Sequence, residues 1–424
     1  MEWQINKADP TVMHIDLNSC FATIEQQANP LIRNKPVAIA SYTRDYGMIF
    51  AASYDAKAMG IGLGTSVREA QRIFPGIIIL MPDPPKYREA HKRFKNILLE
   101  YTSDVVPRSI DEFVVDFRGS PAIRQGRSME SIGYEIKDRI KEELGEYVTV
   151  NVGIATNRCL AKLAAGLHKP DGLDVITYTN LVDTLKSIDL LALPGINRRY
   201  KARLLAAGIG TPYEMFLADP KFLKNFVFSS KLGYHWFRRL RGWEADVVEF
   251  SRKTIGHQYA LEDKTDDLAK LRRLLMKLCE KTGRRLRGAN LTAGGVQLYL
   301  RFADKNWWQQ GRQTTGGSQG GQGGQLYTTQ DIYCAANALL TQTKEQGWMT
   351  DRVTHISITV YNLTPCDPEQ LGLFDQPLAR RKALAVAADH VNDRFGEFTV
   401  VPAVMADMDK TILDRVAFGN IRDI

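Results

Sequence analysis

The spacing of apolar residues in this chain changes period several times, and each change marks an element. Val12 to Asp16 alternates as a short strand ending on an acid. Cys20 to Gln27 then follows a helical period, with Ser19 as its candidate cap. Residues 31–84 read as a small insert. It holds strands around Val37–Ala40 and Met48–Ser53, a helix from Val67, and the apolar run Gly76 to Met81. Between Tyr87 and Ser103 the apolar positions Phe94, Ile97, Leu98 and Tyr101 share one helical face. A strand at 113–117, a helix near 129–144 and a strand at 148–155 follow. Alternating strands and helices of this kind predict an α/β or α+β core.

From 181 to about 245 the pattern becomes all-helical. Leu193-Pro194-Gly195-Ile196-Asn197, then Lys201 through Gly208-Ile209-Gly210, resembles a helix-hairpin-helix, which aims backbone N–H groups at a phosphate. Residues 196–246 carry ten Lys/Arg against four Asp/Glu, so this stretch favours a polyanion. Beyond Ser251-Arg252-Lys253, helices at 266–287 and 328–346 flank period-2 strands at 293–302 and 353–361, the outline of a small α/β sandwich. Its first helix is strongly basic through Lys270, Arg272, Arg273, Lys277, Lys281, Arg284, Arg285 and Arg287. Residues 309–325, QQGRQTTGGSQGGQGGQ, have a composition that cannot bury a core and read as a disordered loop. A helical pattern returns from 378 to about Phe395; the closing DRVAFGNIRDI suggests no mechanism.

Composition narrows the class. A chain of 424 residues exceeds one core and implies roughly two to four domains. Its net charge of +8 suits an acidic partner without naming one. The five cysteines (Cys20, Cys159, Cys279, Cys334, Cys366) are scattered and lack zinc-type pair spacing, which points to a reducing compartment. No apolar run approaches the about 20 residues of a membrane span, and MEWQINKADP lacks a signal-peptide core. The expected location is the cytoplasm.

Four distant segments carry candidate chemistry. Asp111 and Glu112 are adjacent acids at the mouth of the strand Phe113-Val114-Val115-Asp116-Phe117, and Asp16 ends another strand. Together they make a hard-oxygen cluster suited to Mg²⁺, which completes its shell with water and substrate phosphates. Two such ions a few ångströms apart clamp an in-line phosphoryl displacement. Taken singly, Asp16 reads as a helix cap and the Asp-Glu pair as a solvated turn. Tyr54 and Lys57 lie three residues apart on one helical face, where both can donate to β- and γ-phosphates. Lys169, before Pro170-Asp171-Gly172, supplies a third contact as a point charge. Phe21 reads either as a ring under a nucleotide sugar, excluding a 2′-hydroxyl, or as a core aromatic opening a helix.

HIDLNSCFATIE, YDAKAMGIG, SIDEFVVDF and VGIATNRCLAKLAAGLHKPDG resemble, in order and spacing, the signature segments of Y-family translesion DNA polymerases, the DinB/UmuC superfamily. The resemblance covers nearly the whole chain and implies an α+β right hand. The palm would be residues 1–30 and 85–178, the fingers 31–84, and the helix-hairpin-helix thumb 179–246. The little finger, an α/β domain, would be 254–364 after the 247–253 linker. Residues 365–424 would be a C-terminal tail. Carried over position by position, the resemblance makes Asp16, Asp111 and Glu112 the catalytic, metal-binding acids, with the Leu17 carbonyl as a further ligand for two Mg²⁺ ions. It makes Phe21 the steric gate and Tyr54, Lys57 and Lys169 the triphosphate contacts.

Asn18 stands where many DinB-type members carry a second Asp, and Lys57 where many carry Arg; both resemble the UmuC branch, and Lys57 gives up a bidentate phosphate contact. Cys20 replaces an aromatic, which thins the floor under the sugar. Asn197 replaces the second hairpin glycine, a residue that tolerates left-handed geometry. Gln370-Leu371-Gly372-Leu373-Phe374 resembles the peptide by which such polymerases bind the sliding clamp. Gln370 would bond at the rim of a pocket filled by Leu371, Leu373 and Phe374.

The implied activity is low-fidelity, template-directed DNA synthesis opposite damaged bases, with primer-template DNA, deoxynucleoside triphosphates and the sliding clamp as partners. A basic thumb and little finger would grip the duplex through phosphates. An accessory subunit resembling UmuD belongs with the UmuC-like features, whereas a DinB-like chain works alone. Two rivals differ in class. A catalytically silent DNA- and clamp-binding adaptor has no need of three metal-binding acids. A two-metal nuclease has no need of the Tyr54/Lys57/Lys169 cradle.

Overall fold

The computed structural model describes residues 4–246, 252–314, 325–366, 376–408 and 411–412. The chain divides into two compact units, the first within Met1–Val248 and the second within Glu249–Asp414.

The first unit begins with β1 (Val12–Leu17) and α1 (Cys20–Ala28). A subunit of short elements follows: β2 (Val37–Ala40), β3 (Ile49–Ala52), α2 (Tyr54–Ala58), α3 (Val67–Ile73) and β4 (Ile78–Leu80), with the three strands ordered β3-β2-β4. Then come α4 (Pro84–Leu99), β5 (Val105–Pro107), β6 (Glu112–Asp116), α5 (Pro121–Arg124), α6 (Met129–Leu144), β7 (Val150–Ala155), α7 (Arg158–Ala164) and β8 (Leu173–Val175). Their sheet has the order β5-β6-β1-β7-β8, so β1 lies at its centre, antiparallel to both neighbours.

Alternation along β1 assigns its two faces. Met13, Ile15 and Leu17 enter one core with Phe113 and Val115 of β6, Phe94 of α4 and the Ile132, Ile136 and Ile140 stripe of α6. Val12 enters a second core with Val114, Ala155 and Leu160 of α7. His14 and Asp16 lie on that second face, at the end α7 leaves open. Gly153 lets α7 settle there: a Cβ at this position would stand 2.1 Å from both Ala161 O and Ala165 N. Asn157 caps α7 by accepting from Leu160 N at 2.8 Å.

The remainder of the unit is helical: α8 (Leu181–Ser187), α9 (Arg198–Ala206), α10 (Pro212–Leu217), α11 (Pro220–Phe222) and α12 (Leu232–Arg239). Asn197 departs from the expectation of a left-handed residue. Its backbone is extended, and its side chain caps α9 by accepting from Tyr200 N at 3.0 Å. The left-handed turn falls on Gly195, at φ 100°. Ser19 departs too: it adopts φ 49° and makes no capping bond to α1.

The second unit contains β9 (Thr254–Thr265), α13 (Leu268–Gly288), β10 (Leu291–Phe302), β11 (Trp307–Gln313), α14 (Thr329–Glu345), β12 (Val353–Pro365) and α15 (Gln376–Phe395). Its antiparallel sheet is ordered β11-β10-β12-β9. Val296, Leu298 and Leu300 with Ile356, Ile358 and Val360 pack against Leu271, Leu275 and Leu278 of α13 and Ile332, Ala336 and Leu340 of α14.

Residues 309–313, expected within a disordered loop, instead complete β11, pairing Gln309 with Tyr299 and Gly311 with Gln297. Ladder bonds come from the backbone, so a Gln/Gly sequence can pair where Trp308, tilted against Trp348 with centroids 5.8 Å apart, anchors it. Residues 315–324 and 413–424, with the clamp-peptide candidates Gln370, Leu371, Leu373 and Phe374, lie outside the described residues. Among the described residues no helix is long and apolar enough to cross a membrane.

The basic face expected of α13 is largely engaged within its own unit. Arg272 donates to Asn337 and Thr341 of α14, Arg285 to Gly256 O, and Arg287 to Asp389 of α15. The helix 376–395, expected in a tail beyond the little finger, therefore belongs to this unit.

Gly153→Ala is expected to force α7 off the sheet and cost about 1–3 kcal/mol. Urea unfolding of the variant measures this; an unchanged midpoint would contradict the close approach.

Candidate active site

Asp16 and Glu112 are directly opposed residues on the adjacent strands β1 and β6. With His14 they form a cluster whose ligand atoms all lie within 4.8 Å of one another. Asp111 precedes β6 in the turn, where its carbonyl accepts from Leu17 N at 2.8 Å, so the chain at Asp111 is fastened to the end of β1. Its carboxylate accepts from Ser109 Oγ. Because Asp111 lies before the strand, strand alternation does not force it onto the face opposite Glu112. Burial, helped by the charges of Asp16 and Glu112 and opposed by the Ser109 bond, raises the Asp111 carboxyl to about 6.

His91 holds the turn from below: buried on α4, it donates from Nδ1 to Ile110 O at 2.9 Å and stacks on Phe113 with centroids 4.8 Å apart. Burial lowers its pKa, which keeps it neutral.

Each outer acid has an ammonium partner. Lys162 of α7 donates to Glu112 Oε2 at 2.6 Å, and Lys169 donates to Asp16 Oδ2 at 2.6 Å. His14 Nε2 lies 3.3 Å from the same Glu112 oxygen. Burial works to raise the Glu112 carboxyl, but His14 and Lys162 outweigh it and hold it at about 2. A carboxylate so ionised only accepts, so His14 carries its proton on Nε2. Asn151, opposite Asp16 on β7, donates to His168 O at 2.9 Å and so fastens the chain just before Lys169.

The nucleotide-cradle candidates converge beside these acids. Ser53 caps α2, accepting from Ala56 N, and α2 presents Tyr54 and Lys57. Tyr54 OH donates to Asn18 Oδ1 at 3.4 Å, while Asn18 Nδ2 donates to Thr149 Oγ1 at 3.0 Å. Lys57 donates to Ser19 Oγ at 2.7 Å and its ammonium lies 4.6 Å from the Tyr54 ring centroid. Burial lowers the Lys57 pKa and the Lys169 ammonium lowers it further, against Asp16. Burial, then the Asp16 charge, raises that of Tyr54. An ammonium disfavoured by burial and by a neighbouring cation is set to receive an anion.

Phe21 is 1% exposed and stacks on Tyr87 at 4.3 Å, with Phe50 edge-on at 5.8 Å. Tyr87 is itself fixed by donating to Glu25 at 2.9 Å. The ring thus belongs to the core.

Hard carboxylate oxygens and ammonium groups seated on two of them fit divalent cations: a cation arriving there replaces charge already present. The residues that sequence reasoning missed are His14, His91, Asn151 and Lys162. His14 was legible as the position two before Asp16 on the same strand face. Lys162 was not, because its reach depends on how closely α7 crosses β7.

A family model described as the impB/mucB/samB family matches residues 15–166, and that of the family's C-terminal domain matches 252–373. The DNA polymerase IV of Moorella thermoacetica is 30% identical over 402 residues, covering 94% of this chain and 96% of that protein. The DNA polymerase IV of Pelotomaculum thermopropionicum is 30% identical over 401 residues, 93% and 94% of the two chains. Among solved structures, the Y-family DNA polymerase chimera Dbh-Dpo4(243-245)-Dbh matches with TM-score 0.71 at 24% identity, covering 84% of this chain and 99% of that one. An insertion ternary complex of Dbh DNA polymerase matches with TM-score 0.56 over the same shares. At these identities the structures speak for the fold.

The Asp111 carboxyl, raised when folded, favours the native state below the ordinary Asp range, and that contribution is lost as pH rises through about 6. In chelator, Asp111→Asn is therefore expected to be more stable than the parent at pH 7.5, by on the order of 2 kcal/mol, and no more stable at pH 3.5. Equal differences at both pH values in urea unfolding would contradict this.

Proposed function

The chain belongs to the impB/mucB/samB family, the Y-family DNA polymerases, and from that premise we propose which of its residues carry template-directed synthesis across damaged DNA. The enzyme is a DNA-directed DNA polymerase acting on primer-template DNA with deoxynucleoside triphosphates, and it uses divalent metal. Asp16, Asp111, Glu112 and the Leu17 carbonyl would hold two Mg²⁺ ions. Such ions, when bound, ease deprotonation of a primer 3′-hydroxyl and neutralise the triphosphate.

The remaining work is done by the chain's own side chains. Tyr54 and Lys57 donate to the β- and γ-phosphates from α2, and Lys169 donates from the facing loop. Lys169 and Lys162 would give up Asp16 and Glu112 to an arriving cation, leaving Lys169 free to donate to phosphate. Phe21, backed by Tyr87, excludes a 2′-hydroxyl. The single observation that carries this reading is the pairing of Asp16 with Glu112 across β1 and β6, each on a lysine, beside the Tyr54/Lys57 pair.

In domain terms, we read residues 1–30 and 85–178 as palm, 31–84 as fingers, 179–246 as thumb and 254–364 as little finger. Fingers of three short strands and two short helices cover a nascent pair loosely, so selection rests on base pairing with little induced fit. Gln370, Leu371, Leu373 and Phe374 bind the sliding clamp, and the setting for all of this is the cytoplasm.

Primer extension with purified chain, Mg²⁺ and damaged or intact templates tests the assignment. Asp111→Ala and Glu112→Ala are expected to lose at least about 10³-fold in extension, roughly 4 kcal/mol, with duplex binding retained. Undiminished extension by both variants overturns the site. Lys169→Ala is expected to raise KM for the nucleotide about tenfold. Extension by the chain alone decides against dependence on a UmuD-like subunit, and stimulation by clamp that is lost in Leu373→Ala/Phe374→Ala supports that partner.

A further inference from the structure

α13 carries Arg273, Lys277, Lys281, Arg284 and Arg287 at spacings of 4, 4, 3 and 3, which is one stripe along the helix. The C-terminal segment runs antiparallel over it. Arg287 grips Asp389 through two bonds of 2.5 and 2.8 Å, and Arg284 donates to Asp393 at 2.8 Å. Lys281 lies 3.6 Å from Glu397, Lys277 donates to Met408 O, and Arg273 donates to Val404 O at 3.3 Å. Asp389, Asp393 and Glu397 follow at four-residue steps, an acid stripe facing a cation stripe.

Two different forces hold this segment. Residues past the helix are anchored by apolar burial: Met405, Met408 and Ile412 join the core of the unit, with Phe398 and Val401 against it. None of the described residues of α15 belongs to that core; Leu384 is 71% and Phe395 66% exposed. α15 is docked instead through its charges and polar groups, and the ion pairing is incomplete. Five cations face three carboxylates, and the buried Lys281 Nζ and Arg284 Nη1 make no hydrogen bond although Glu397 lies within 3.6 Å. Buried donors left without a hydrogen-bond partner take back part of what these ion pairs contribute. Gly396, at φ 114°, joins the loosely held helix to the anchored turn and supplies a backbone freedom that other residues lack.

We propose that α15 is a displaceable cover over a second DNA-backbone site, formed by Lys281, Arg284 and Arg287, which Asp389 and Asp393 of α15 and the adjoining Glu397 occupy until phosphates replace them. Taking the polyanion to be DNA rests on the polymerase reading. Arg273 and Lys277 stay under the anchored turn.

The test uses the full chain. Hydrogen exchange of residues 380–395 is followed with and without primer-template duplex, alongside primer extension in the same preparation. DNA is expected to speed exchange of α15 about tenfold. In the variant Asp389→Asn/Asp393→Asn, duplex affinity is expected to rise about tenfold at 0.1 M salt, and the salt slope to steepen by about two to three. Unchanged or slower α15 exchange in a sample that extends primers overturns the proposal and leaves the polymerase reading intact; so does an unchanged salt slope in a variant that still extends primers. Absence of extension by the parent chain is a failure of the polymerase reading instead.

Discussion

The register of β1 against β6 sets everything else at the site. It makes Asp16 and Glu112 direct neighbours in a sheet buried on both faces, with Asp111 fastened to the end of β1. Like charges on opposed strand positions are unfavourable. They persist because Lys162, Lys169 and His14 stand among them, and because Asp111 yields by holding its proton to about pH 6. The cluster is therefore a balance of carboxylates against ammonium groups, one that an incoming cation would tip.

That balance depends on features remote from the acids. Gly153 admits α7 and with it Lys162, Asn151 fastens the chain before Lys169, and His91 supports the turn before β6. Asn18 bridges Thr149 and Tyr54, which ties the end of β1 to α2. Asn18, His91 and Asn151 are polar groups buried with a specific partner, the arrangement that keeps catalytic side chains in one orientation.

Much of this was legible in the residues. Period-2 alternation found β1 and β12, a helical stripe found α4 and α6, and the spacing of Tyr54 and Lys57 put both on one turn. Asp16 and Glu112 do meet across the strands, Lys169 reaches Asp16, and Tyr54 and Lys57 lie together on α2. What stayed hidden depends on tertiary contact. β11 pairs through its backbone, to which composition is blind, and Asn197 caps a helix in extended geometry rather than replacing a glycine in kind. The basic stripe of α13 looked like a DNA surface because its acidic partners lie over one hundred residues later, in α15 and just beyond it. Charge along a sequence reports a partner's sign and not whether that partner is another part of the same chain.

The central claim is that lysine ammoniums hold positions at the acid cluster that a divalent cation takes over. Calorimetric titration of the DNA-free chain with Mn²⁺ tests it most directly. The account predicts that Asp16→Asn weakens binding and that Lys162→Met, which removes a competing charge from Glu112, tightens it. Binding weakened or unmoved by Lys162→Met would contradict the account.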